Sequence, residues 1–334
     1  MTNTELLPLA VTMGDPAGCG PQITCNAWRQ LRSASETSFF VIGTPELYQP
    51  DVPIARISHP SEANTAFPDA LPVLPLADVP SIQPGSPNAA AAPAIIAAIE
   101  HAVRFAQSGD VAGVVTNPIN KALLYGAGFT HPGHTEFIAE LCRTSDRAFR
   151  PVMMLMGGGL RVALATIHMP LKDVPAALDT DKLVELGTLV HTALVNDFAL
   201  PDPKIAFTGL NPHAGENATI GTEERDIINP AAATLRTKGI TMSDARPGDT
   251  VFAEALSGQF DAIIAMTHDQ GLIPVKTLDM WGGVNITLGL PIVRTSPDHG
   301  TAYDAAATRS CRPDSLIAAL HAAQTIANNR KTAS

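Results

Sequence analysis

Val162-Ala-Leu-Ala-Thr166-Ile-His168-Met-Pro170 is an apolar run that breaks at a histidine and a proline. Lys204-Ile-Ala-Phe-Thr-Gly-Leu-Asn-Pro-His213-Ala-Gly and Asp261-Ala-Ile-Ile-Ala-Met-Thr-His268-Asp-Gln-Gly repeat the pattern. Each apolar part is short, so each reads as a strand that ends in a turn. Leu9–Met13, Phe39–Ile42, Val111–Val115 and Val152–Leu155 carry runs of the same kind. Helical patterns fall between them, at Gln22–Leu31, Ala94–Gln107, Thr135–Cys142, Asp181–Val195, Glu223–Thr237 and Thr250–Leu256, with a last one at Asp314–Ala327. Asn88 suits the start of the Ala-rich helix and Gly109 its end. This alternation predicts an α/β fold built on a mostly parallel sheet.

In such a sheet ligands bind beyond the carboxyl ends of the strands. Three imidazoles at three strand ends would make an open metal site, with positions left for substrate oxygens. For any one histidine alone, a structural loop residue is the plainer reading. Their shared context favours the metal; their spacing matches no local metal motif.

Composition narrows the class. With 334 residues, 45% of them hydrophobic and 16% charged, the chain is globular. A formal net charge of −10 argues against a nucleic-acid partner. Cys19, Cys25, Cys142 and Cys311 form no C-x-x-C pair and read as reduced thiols. The N-terminal MTNTELLPLA has no basic region followed by a long apolar run, so no signal peptide is expected. Ala89–Ile99 is apolar, but Pro93 interrupts it and Glu100, His101 and Arg104 follow, which does not read as a membrane span. The expectation is a soluble cytoplasmic protein. Val52–Pro87, rich in Pro, Ala and Ser, reads as an irregular surface excursion.

Three further segments are candidates for binding. Met13-Gly-Asp-Pro-Ala-Gly-Cys-Gly-Pro-Gln22 joins a strand to a helix, and Gly14, Gly18 and Gly20 permit close approach of an anion. It is not G-x-G-x-x-G, and a tight strand-to-helix turn explains it equally well. In the segment from Asn285 to Thr301, Arg294 ends an apolar run, with Lys276 upstream. Planar guanidinium and point-charge ammonium together suit a phosphate, although surface pairing is the commoner fate of either. In Thr130-His-Pro-Gly-His134-Thr135-Glu136-Phe, His134 and Thr135 precede a helix and suit an anion, or Thr135 is only a cap.

GDPAG-x-GP, TNPINK, GHTEF, ALATIHMPL, GLNPHAGE, GTEE, HDQGLIP-x-K, GVNITLGLP-x-RTS and DHGTA, in this order, resemble the 4-hydroxythreonine-4-phosphate dehydrogenase family of pyridoxal phosphate biosynthesis. The resemblance runs from the first strand to the last helix. It implies a two-domain α/β/α subunit like isopropylmalate dehydrogenase, with a cleft between the domains, and a homodimer with its active site at the interface. The domains would be 1–135 plus 300–334, and 136–299, the latter carrying the metal and the dimer interface. The resemblance assigns metal ligation to His168, His213 and His268. Substrate contacts map to His134, Thr135, Lys276, Asn285, Arg294 and Asp249. Cofactor contacts map to Gly14, Asp15, Gly18, His299, Gly300 and Thr301. The first turn usually reads GIGPE; here Cys19 and Gln22 replace Ile and Glu. After DHGTA, Tyr303-Asp-Ala-Ala-Ala-Thr replaces the family's usual run and its glycine.

The implied reaction oxidises 4-phosphooxy-L-threonine with NAD or NADP, giving a β-keto acid that loses CO2 to leave 3-amino-2-oxopropyl phosphate. The divalent metal would be Zn, Mg, Mn or Co. No residue is assigned as general base, and no Rossmann acidic residue chooses between NAD and NADP. Dehydrogenases of threonate or erythronate 4-phosphate, or of cis-dihydrodiol dicarboxylates, are the near alternatives. A metal-dependent hydrolase is the alternative of a different class, weakened by the lack of H-x-H or H-E-x-x-H.

Overall fold

The computed structural model describes residues 6–33, 37–76, 79, 82–126, 128–131 and 133–333. The first five residues of the segment read as lacking a signal peptide lie outside these. The chain divides into two compact units, Met1–Pro151 with Leu290–Asn328, and Val152–Gly289 with Asn329–Ser334. The sequence reading placed its boundaries at 135 and 300. The first unit instead runs on through the helix His134–Leu141 and takes back the strand that starts at Arg294.

The strands in chain order are β1 (Leu9–Thr12), β2 (Phe39–Gly43), β3 (Ile54–Arg56), β4 (Leu71–Pro75), β5 (Gly113–Thr116), β6 (Val152–Gly157), β7 (Leu160–Leu164), β8 (Ile205–Phe207), β9 (Ala262–Ala265), β10 (Val284–Leu288) and β11 (Arg294–Pro297). In the first unit the order is β3-β4-β2-β1-β5-β11, and every pairing is parallel. In the second unit the order is β10-β6-β7-β9-β8. There β10, β6 and β7 pair antiparallel, and β7, β9 and β8 pair parallel. The α/β reading holds.

β1, β2 and β5 are buried throughout, which is why they read as unbroken apolar runs. The helix Ala92–Ser108 packs on these three strands through Ile95, Ala98, Ile99, Ala102 and Val103. Asn88 Oδ1 accepts from Ala90 N at 3.0 Å, and Gly109 ends the helix at φ 80°, as the sequence predicted. By length and composition alone Ala89–Ser108 is apolar enough to cross a membrane; here its apolar stripe covers the sheet.

As far as Pro75 the Val52–Pro87 segment is not irregular. It supplies β3, β4 and the short helix Ala63–Ala66. Trp28 of the helix Gly20–Leu31 ties it down by donating its indole N–H to Phe67 O at 2.9 Å. Pro72 and Pro75 hid a strand that pairs on both sides. Arg294-Thr-Ser-Pro297, read as an apolar end and a polar turn, is instead the wholly buried β11.

Candidate active site

In the second unit, β7, β9 and β8 lie side by side and point the same way. The chain leaving β7 reaches His168, that leaving β9 reaches His268, and that leaving β8 reaches His213. The three histidines therefore stand beyond the carboxyl ends of three adjacent parallel strands.

His268 is the first residue of the helix His268–Leu278, whose Thr267 cap accepts from Gln270 N. That helix sits close on the sheet at Gly271, where a Cβ would come within 2.5 Å of Leu164 Cδ2. Val275 joins Leu155, Leu160, Val162, Leu164 and Ala265 in one apolar cluster behind it. The His168 and His268 rings lie 5.7 Å apart, centroid to centroid, and share a pocket of about 350 Å³ with Thr166, Met169, Leu171 and Asp269. His268 Nδ1 is 2.8 Å from Asp269 Oδ1. A carboxylate only accepts, so in this contact the ring donates from Nδ1, which leaves Nε2 to face a ligand.

His213 lines a second pocket of about 390 Å³ with Leu210, Asn211, Pro212, Gly248, Asp249 and Gln270. Gln270 belongs to the helix that His268 begins, so one helix start adjoins both pockets. Imidazole is a zinc donor in kind, and His168 with His268 suits a metal as placed. The third does not join them: among the described residues no three His, Cys, Asp or Glu side chains gather into a cluster able to hold a metal ion.

The backbone around His213 is unusual. His213, Ala214, Glu216, Asn217 and Ala218 all have positive φ, between 43° and 67°, with Gly215 among them at 76°. Left-handed backbone costs an L-residue roughly 1–2 kcal/mol. Five such residues therefore carry a cost on the order of a domain's whole net stability, and the surroundings must impose the conformation. Nothing in the sequence announced this turn, because Ala214, Glu216 and Ala218, three of these five residues, are not common left-handed types.

In the first unit, β1, β5 and β11 are neighbours and parallel. Their carboxyl ends deliver the GDPAG, TNPINK and DHGTA turns. These turns interlock. Asp15 N donates to Pro118 O at 2.9 Å and Cys19 N to Thr301 O at 2.8 Å. Asn117, fully buried, donates to Thr12 O and Thr24 Oγ1. Gly14 has φ 68°, and a Cβ there would come within 2.7 Å of Asn117 Cβ and Pro118 O; one on Gly18 would meet Thr301 O at 2.9 Å. The expected cofactor group is thus brought together, but Gly14, Asp15 and Gly18 are buried against protein. His299 and Gly300 are its exposed members.

The departures from the family pattern find partners within the first unit. Tyr303 OH donates to Asp15 Oδ2 at 2.5 Å and accepts from Asn120 Nδ2 at 2.9 Å. Gln22 donates to Arg309 O and accepts from Cys311 N, a pairing that a carboxylate could make only in half. Burial pushes the Cys19 thiol up to about 12.

Arg294 is 3% exposed and donates from Nη2 to Thr116 Oγ1 at 2.7 Å. Burial lowers it to about 10, while Glu136 opposes the shift. His134 begins the helix His134–Leu141, capped by Gly133, so Thr135 is not the cap. A Cβ on Gly133 would lie 3.0 Å from Glu136 Oε2 and 3.1 Å from Lys121 Nζ. Of the phosphate group expected from sequence, His134, Thr135, Lys276, Asn285 and Arg294, the first unit holds His134, Thr135 and Arg294, and the structure adds Lys121, Glu136 and Thr116 to them. Burial, then the Arg294 and Lys121 charges, hold the His134 imidazole well below its ordinary value. Its Nε2 is buried without a hydrogen-bond partner. A desolvated cationic group with an unsatisfied ring nitrogen suits a phosphate.

A pH prediction follows from His134. The unfolded chain takes up a proton there near pH 6.5 and the folded chain does not. The unfolded state then binds more protons, so stability is fully present above about pH 6.5 and falls as pH drops below it. Denaturant midpoints should fall less steeply between about pH 7.5 and about pH 5.5 in His134→Asn than in the parent. Equal slopes would contradict a neutral buried imidazole.

Lys276 lies on the helix His268–Leu278, Asn285 in β10 and Asp249 in the His213 pocket, all in the second unit. Asn285 Oδ1 is buried without a partner, which suits an N–H or O–H donor.

The family described as pyridoxal phosphate biosynthetic protein PdxA matches residues 32–323. A 4-hydroxythreonine-4-phosphate dehydrogenase from Caulobacter vibrioides is 50% identical over 97% of this chain and 98% of its own. The crystal structure of 4-hydroxythreonine-4-phosphate dehydrogenase from Klebsiella pneumoniae is 37% identical, with a TM-score of 0.84 over 96% of this chain and 99% of its own. A terephthalate 1,2-cis-dihydrodiol dehydrogenase from Burkholderia xenovorans is more distant, at 27% identity and a TM-score of 0.64 over 96% of this chain and 98% of its own.

Proposed function

The chain belongs to the PdxA family of pyridoxal phosphate biosynthetic proteins, and on that premise we propose that it oxidises 4-phosphooxy-L-threonine with NAD or NADP and a divalent metal. The secondary alcohol gives a hydride to the nicotinamide ring and a proton to solvent. The resulting β-keto acid loses CO2 to leave 3-amino-2-oxopropyl phosphate. The observation that carries the reading is the buried Arg294 beside Thr116, with His134 next to it.

Arg294 neutralises the substrate phosphate in a dry environment, where each hydrogen bond to it counts for more than in water, and the exposed Lys121 adds charge from the solvent side. His134, kept uncharged, offers ring nitrogen Nε2, and Thr135 lies beside it. His168 and His268 would hold the metal, and His213, which does not gather with them in this structure, is assigned as the third donor. Asp269 fixes the His268 proton on Nδ1 so that Nε2 stays available. When bound, the metal acts as a Lewis acid that lowers the hydroxyl pKa and withdraws charge from the carbonyl that forms. Lys276, Asn285 and Asp249 are assigned to the rest of the substrate. The exposed His299 and Gly300 are assigned to the cofactor.

The test is absorbance at the reduced-nicotinamide band. 4-Phosphooxy-L-threonine, its unphosphorylated analogue, threonate 4-phosphate and a cis-dihydrodiol dicarboxylate are offered with NAD⁺ or NADP⁺, with and without added divalent metal. Reduction only with the phosphorylated amino acid and metal is expected. Turnover of the dihydrodiol alone, or none with any substrate, would overturn the proposal.

A further inference from the structure

The left-handed turn at 213–218 is clamped from behind by one carboxylate. Glu224 is 3% exposed. Its Oε1 accepts from the backbone N–H of both Leu210 and Asn211 at 2.8 Å, and its Oε2 accepts from Asn211 Nδ2 at 3.1 Å. Asn211 is also bound by Glu223 Oε2 at 2.7 Å, and that Asn211 bond is the first cause holding Glu223 below its ordinary value. Asn211 O in turn accepts from Ala214 N, so the clamp reaches into the turn itself.

Space is as tightly fixed as hydrogen bonding. A Cβ on Gly215 would lie 2.6 Å from Glu224 Oε2, and one on Gly209 would lie 2.8 Å from Ala214 Cα. The chain can pass over the carboxylate only with glycine at both points. Glu224 itself opens Glu224–Ile228, a single π-turn in which Asn229 N bonds Glu224 O. Such a turn is uncommon and clusters at functional sites. A buried carboxylate is expensive to desolvate, and here it takes three donors from the segment that carries His213.

We propose that Glu224 is the positioning residue of the His213 turn: by binding Leu210, Asn211 and the Asn211 side chain, it holds 213–218 left-handed and so sets where the His213 imidazole points. Glu224 touches no substrate and acts only through His213. The consequence for metal binding rests on the function proposed above.

The test uses Glu224→Met, which keeps bulk and removes every acceptor, and Glu224→Gln, which keeps one oxygen for the two backbone N–H groups. Amide exchange over 213–218 should accelerate in the Met variant and much less in the Gln variant. Zn²⁺ or Co²⁺ titrated into chelator-stripped full-length protein should bind roughly 10–100-fold more weakly to the Met variant, with the Gln variant nearer the parent. His213→Ala combined with Glu224→Met should bind metal no more weakly than His213→Ala alone. Unchanged exchange, or additive losses in the double variant, overturns the proposal. If the Met variant fails to fold, the Gln variant in the same cycle decides in the same way. Faster exchange with no metal loss in either single variant overturns the metal reading and leaves the clamp standing.

Discussion

Replacing His268 by alanine is expected to lower kcat about a thousandfold while leaving the unfolding midpoint close to that of the parent. A Lewis-acid metal supplies several kcal/mol of transition-state stabilisation, and about 4 kcal/mol corresponds to roughly three decades in rate. His268 is half-buried at the first position of its helix, and Thr267, not the imidazole, caps that helix. The fold therefore loses little with the ring. Asp269→Asn should lose less, on the order of tenfold to a hundredfold, because it only orients the ring. Steady-state rates at saturating metal and substrate, alongside denaturant titration, check both. A His268→Ala enzyme within tenfold of the parent would remove this histidine from the reaction.

Arg294→Met should act on the other side of the chemistry. It keeps the length of the side chain in a wholly buried strand but removes the donors that meet Thr116. Losing one partner of a desolvated charge pair typically costs 2–5 kcal/mol. KM for the phosphorylated substrate should therefore rise at least about thirtyfold, with a smaller change in kcat. Arg294→Lys should not restore it, because a point charge does not reproduce the planar fork. An unchanged KM would show that the phosphate lies elsewhere.

The parts of this structure that could be read from sequence are those with a periodic or punctuated pattern. Three apolar runs ending in histidine foretold three strand ends, and the structure sets them side by side. Asn88 and Gly109 marked both ends of the Ala-rich helix, because capping chemistry is local. β4 escaped because two prolines speak against a central strand, and β11 escaped because Arg294, Thr295 and Ser296 do not look like core. Their burial is decided by neighbours far along the chain. The same holds for Lys121 and Glu224. Each sits in a motif visible in the sequence, but each gains its meaning from a partner ten or more residues away: Gly133 for one, Leu210 and Asn211 for the other. The conformation of 213–218 could not be foreseen, since local propensity opposes it and tertiary contacts impose it.

The return of the chain to its first unit has a consequence for biosynthesis. Thr116 ends β5, and Arg294, which opens the strand beside it, lies 178 residues later. At about 5–20 residues per second, a ribosome needs on the order of ten seconds or more to make that stretch. Throughout that time one side of the Val-rich β5 lacks its mate, while every strand of the second unit is being made. An unpaired apolar edge is a template for pairing with the wrong chain. The nascent protein is thus most in need of a chaperone midway through its own translation, at a strand that in the finished molecule is wholly enclosed.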